Sequence, residues 1–105
     1  MKTRVKVGRE ADFPEGEVRC VRCNGDRVAI ARVAGRLYAF EDRCTHDDGP
    51  LGEGELEGFQ VICPRHGARF DVRDGSVVAM PAVFPITTYP VEVKDGEVEV
   101  LLEDQ

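Results

Sequence analysis

Histidine is scarce in this chain, with two in 105 residues, so any imidazole chemistry must run through His46 or His66. No segment approaches the ~20 consecutive apolar residues of a transmembrane helix. The opening stretch MKTRVKVGREADF alternates and then turns acidic, where a leader would be apolar. These absences predict a cytoplasmic protein with no membrane partner. Basic charge is in deficit too: 14 Lys and Arg face 20 Asp and Glu, giving a net charge of −6 and a pI near 4.9. That balance argues against nucleic acid, which needs a basic stripe to displace counterions. It suits a protein steered by its field toward a basic patch on a partner. Helical periodicity is missing as well. No window carries an i, i+3, i+4 apolar stripe, and READFPEG (9–16) holds at most one short turn before Gly16.

What the chain does contain is alternation. TRVKVG, EVRCVR, RVAIARV (27–33), RLYAFE (36–41), FQVIC (59–63) and ARFDV (68–72) all read as strands. Ala34-Gly35 joins two of them, and Asp-Gly pairs at 74–75 and 95–96 sit between others. VEVKDGEVEVLL is the clearest hairpin, with a type I′ dipeptide between two alternating arms. The length and the 42% apolar content fit one domain, residues 1–105, without internal repeat or linker. The fold class predicted is all-β: roughly eight to ten short antiparallel strands in a sandwich or partly open barrel. The proline-rich AMPAVFPITTYP (79–90) is too apolar for a linker and reads as an ordered loop packed on the domain.

Both histidines stand beside cysteines, in the pattern Cys44-x-His46, sixteen residues, Cys63-x-x-His66. Gaps of one and two residues suit paired ligands offered from tight loops. Glycine and proline at Gly49-Pro50, Pro64 and Gly67 let backbone bend close to an inorganic atom. Two such loops facing each other fit a tetrahedral zinc ion or a two-iron cluster equally well. Unrelated core residues are the bland alternative, but chance seldom pairs both histidines with cysteines at ligand spacing.

CTH…CPRHG resembles the signature of the Rieske family. FPEGEV, the strands into DRCTH, the F-DV-DG after the second box and the closing YPVEVKDGEVEV are similar to small Rieske ferredoxins. The resemblance implies a Rieske-like fold of antiparallel β-sheets with a small cluster-binding subdomain, its loops around 42–70. It implies one [2Fe–2S] cluster per chain, with Cys44 and Cys63 as thiolate ligands of one iron and His46 and His66 as imidazole ligands of the other. Neutral imidazoles leave the oxidised centre uncharged, where four thiolates would make it −2. Reduction is then easier, within about −150 to +300 mV. High-potential members of the family carry an extra cysteine in each loop and hydroxyl donors near the cluster. Here Asp47–Gly49 and Arg65 occupy the loop positions, and Ala68 and Phe70 stand where Ser and Tyr would be. The low end of the range is therefore expected.

The function implied is a one-electron carrier between a reductase and an acceptor such as a ring-hydroxylating oxygenase, as a dioxygenase component rather than an enzyme, and as a monomer. The alternatives are a small subunit of a larger oxidoreductase, similar to that of nitrite reductase, and a zinc-stabilised binding module. Cys20 and Cys23 form CVRC without a βαβ context. Residues three apart on a strand face opposite sides, so packing or surface roles are expected for them. Met80, Pro81 and Ala82 resemble a loop that covers the cluster, Arg65 is expected at the exposed tip, and EGELEG (53–58) reads as a solvated hairpin or a docking edge.

Overall fold

The computed structural model of the chain describes residues 2–44, 51–64, 67–80 and 84–103. Alternation becomes three antiparallel sheets there. The first joins β1 (Lys2–Arg9), β11 (Glu97–Glu103) and β10 (Val91–Lys94), with β11 in the middle. The second runs in the order β2 (Val18–Cys23), β3 (Asp26–Val33), β4 (Arg36–Glu41) and β9 (Thr88–Tyr89). The third is a meander of β5 (Glu55–Glu57), β6 (Gln60–Ile62), β7 (Arg69–Asp71) and β8 (Val77–Ala79). Eleven strands exceed the eight to ten expected, and the three sheets among the described residues do not close into a barrel. The one short turn foreseen before Gly16 is a 3-10 turn at Glu10–Asp12.

The second sheet is the middle layer, and the period of two along β3 shows why. Val28 and Ile30 enter a core with Cys23, Ala39, Val98, Val100 and Leu102, against the first sheet. Ala29, Ala31 and Val33 enter the opposite core with Phe40, Val61, Phe70 and Val72, against the third. A strand buried on both faces reads as a continuous apolar run, as VAIA does. On β4, Leu37 and Ala39 take the first side, and Tyr38 and Phe40 take the second.

Three hairpin turns have both central residues at positive φ, the geometry that matches strand twist. They are Asn24-Gly25 (51° and 91°), Ala34-Gly35 (53° and 79°) and Asp95-Gly96 (53° and 80°). The alanine in the second turn is unusual, and a carboxylate supports it. Glu15 accepts the Ala34 and Gly35 N–H groups, each at 2.8 Å. EGELEG forms β5 and the turn into β6, paired Glu55 to Ile62 and Glu57 to Gln60, with both glutamates exposed. It is the solvated hairpin expected.

Candidate metal centre

The third sheet and the end of β4 bring the two cysteines of the ligand pattern into one buried group. Cys44 follows β4 by three residues, and Cys63 follows β6 directly. Both are closed to solvent and belong to the same apolar core, with Leu51, Val61, Ala68 and Phe70. Eighteen intervening residues thus return the chain from Cys44 to the same core at Cys63, because the β5–β6 hairpin folds back on itself. None of the four cysteines is paired in a disulfide.

The second ligand loop is tightly closed. The Cys63 N–H donates to the Ala68 carbonyl at 2.7 Å, and the Gly67 N–H donates back to the Cys63 carbonyl at 3.1 Å. Gly67 lies at φ 76°, where a side chain would be strained. Gly54, just before β5, packs closely on the end of β6, since a Cβ there would collide with the Ile62 carbonyl oxygen. A shallow cleft bordered by Glu53, Gly54, Glu55 and Pro64 leads to Cys63.

His46 and His66 lie outside the described residues, as do Asp47–Gly49, Arg65, Pro81 and Ala82. Among the described residues no three Cys, His, Asp or Glu side chains converge on one point, so the thiol pair is the described half of the site. Ala68 and Phe70 are fully buried beside Cys63, so these positions present no hydroxyl to the centre. Met80 is 81% exposed and does not pack on the described core.

Cys20 and Cys23 face opposite sides of β2, as alternation required. Cys23 is enclosed in the core against the first sheet, while Cys20 lies on the other face and is exposed. Its sulfur nevertheless turns inward, against Gly52 and the Asp42 carboxylate. Burial, with a hydrogen bond to Asp42 and its charge adding to the effect, pushes the Cys20 thiol up to about 11. It is therefore protonated at neutral pH and donates. Asp42 and Gly52 belong to no motif. The signal for Asp42 is its register: Tyr38 and Phe40 point into the core, and Asp42 is the next residue on that face.

A neighbouring pair of contacts ties down the far side. The Glu41 N–H donates to the Thr87 carbonyl at 2.8 Å, and the Glu41 carboxylate accepts the Thr87 N–H at 2.9 Å. Ile86, buried, donates its N–H to the Gly75 carbonyl at 2.9 Å. The described end of the proline-rich segment is thus packed on the domain.

Two enclosed cysteines brought together from separate loops of an all-β scaffold are a candidate half of a metal centre in a small β protein. The chain belongs to the Rieske [2Fe–2S] domain family, whose model matches residues 3–90. It is 39% identical over 92 residues to the ferredoxin component of the naphthalene 1,2-dioxygenase/salicylate 5-hydroxylase systems of a Ralstonia species, covering 88% of each chain. It is 38% identical over 95 residues to the 3-phenylpropionate/cinnamic acid dioxygenase ferredoxin subunit of Escherichia coli K12, covering 90% of this chain and 89% of that one. A chain in the solved complex of reduced oxygenase and oxidized ferredoxin in carbazole 1,9a-dioxygenase superposes with a TM-score of 0.91 at 39% identity, over 97% of this chain and 95% of that one. The protein carries one [2Fe–2S] cluster per chain and is an electron carrier, not itself an enzyme. The candidate donor set fits that group, because the side chains of Cys44 and Cys63, soft sulfur donors, lie shielded together in one apolar core.

Proposed function

We propose that Cys44 and Cys63 hold one iron of the cluster and that His46 and His66 hold the other. In this reading the protein carries electrons in the cytoplasm from a reductase to a terminal oxygenase. The observation that carries the ligand assignment is the burial of Cys44 and Cys63 in one core group, although eighteen residues separate them in sequence. Once bound, the cluster supplies reversible one-electron storage.

The chain's own contribution is a water-excluded wall. Leu51, Val61, Ala68 and Phe70 share the buried core group of Cys44 and Cys63 and supply its apolar surroundings. Apolar side chains at Ala68 and Phe70 offer no hydroxyl to stabilise added negative charge, which supports a low potential within the family's range. The surplus of acid over base supports docking to basic partner surfaces.

Metal analysis with a visible spectrum tests the assignment. The parent protein should hold two irons per chain and be coloured. Cys44→Ala and Cys63→Ala should each lose the colour, and Cys23→Ala should keep it. A colourless parent with one zinc, or a coloured Cys44→Ala protein, contradicts the reading.

A further inference from the structure

Asp42 is the only buried charged residue among the described ones, 5% exposed. Its backbone N–H, its carbonyl and its carboxylate each have a partner. Its N–H donates to the Arg27 carbonyl at 3.0 Å, and its own carbonyl accepts from the Arg27 guanidinium, Nε at 3.2 Å. These bonds continue the β3–β4 ladder one residue beyond the strand. The carboxylate is left free to reach across, and Oδ1 accepts the Gly52 N–H at 2.5 Å. The same carboxylate takes the Cys20 thiol as a second donor.

Residues 42 and 52 bracket the first ligand segment, and Cys44 lies two positions inside it. Gly52 has to be glycine for this contact. A Cβ there would collide with the Cys20 sulfur and approach Asp42 Oδ1 to 3.1 Å. Three elements distant in sequence meet at Asp42: β2 through Cys20 and the returning chain through Gly52 at its carboxylate, and β3 through Arg27 at its backbone. A buried carboxylate with these donors is costly to leave half-satisfied, so the arrangement holds together as a unit.

We propose that Asp42 is a positioning residue for the cluster. By clasping Gly52 and Cys20 it closes the first ligand loop at its base and fixes where Cys44 presents its sulfur. The proposal rests on Cys44 being a ligand. Closing the loop during folding removes an ordering cost that cluster binding would otherwise carry. The clasp therefore governs how tightly and how uniformly the cluster is held.

The test compares the holoprotein with its Asp42→Ala, Asp42→Asn and Cys44→Ala variants. Three readouts are taken: the half-life of the visible absorbance under an iron chelator, the electron paramagnetic resonance line shape of the reduced state, and the melting of the apo-protein. Asp42→Ala should lose its cluster roughly 10–100-fold faster, and the surviving signal should be broadened by a spread of ligand geometries. Asp42→Asn keeps an acceptor oxygen for Gly52 and should restore most of the half-life. If Asp42→Ala yields no folded protein, Gly52→Ala tests the clasp from the other side. It should shorten the half-life, and adding Cys20→Ala, which removes the colliding sulfur, should partly restore it. An Asp42→Ala protein with only a lower apo-protein melting temperature, and with the parent's line shape and half-life, overturns the proposal. So does a Gly52→Ala protein with an unchanged half-life. Retention of the cluster by Cys44→Ala would instead overturn the ligand assignment, so the two failures are distinguishable.

Discussion

Cys23 sits fully enclosed in a core group with Val28, Ile30 and Val98, and burial first, then the nearby Asp26 charge, pushes its thiol up. Replacing it with serine buries a hydroxyl among apolar groups, which should cost about 1–3 kcal/mol. A shift of the denaturant midpoint with an unchanged visible spectrum is the expected outcome. Surface carboxylates contribute to acid sensitivity. The Arg73 guanidinium, bonded to both Asp71 oxygens at 3.0 and 2.7 Å, holds that carboxyl below its ordinary 3.8. The Ser76 N–H lowers Asp74, and Lys6 lowers Glu97 from an ordinary 4.5. Groups lowered in the folded state stabilise it fully above their unfolded values, and this stability is lost as pH falls through and below them. Melting of the apo-protein should therefore be nearly flat above about pH 5 and fall modestly below about pH 4, because these pairs are solvent-screened, and less in Asp71→Asn. The opposed faces of Cys20 and Cys23 were legible from alternation alone. The clasp at Asp42 was not, because Gly52 and Cys20 are brought to it only by tertiary contacts.

Hairpins are the elements most plainly written in this sequence. Ala34-Gly35 adopts a positive φ pair against alanine's preference, with Glu15 accepting both N–H groups, while Asp95-Gly96 adopts the pair its residue types suggest. Asn24-Gly25 does the same and ends β2 at Cys23. How the strands divide into three layers was not legible, because that depends on which face of each hairpin meets which neighbour. The turn at Gly75 shows how such a meeting constrains a residue. Its φ is 81°, its N–H donates to the Asp71 carbonyl at 2.7 Å, and a Cβ would strike the Ile86 carbonyl oxygen. Gly75→Ala should cost more than about 2 kcal/mol, from left-handed strain plus the displaced Ile86 segment. Urea denaturation followed by circular dichroism measures that loss, and an alanine variant as stable as the parent would show that the Ile86 segment yields freely.

For the whole molecule, the middle sheet serves two cores with different duties. The core shared with the first sheet holds the fold together and includes Cys23, while the core shared with the third sheet holds Cys44 and Cys63. The ligand pattern itself was legible because ligation demands particular residue types at short spacing, whereas the wall around it is ordinary apolar packing. The central claim is a mixed-ligand cluster of low potential held by Cys44, Cys63, His46 and His66. A redox titration followed by electron paramagnetic resonance, with hyperfine detection of coordinated nitrogen, tests it most directly. The account predicts a single one-electron signal coupled to imidazole nitrogen, with a midpoint in the lower part of about −150 to +300 mV. A signal without nitrogen coupling, or a midpoint near +300 mV, would contradict it.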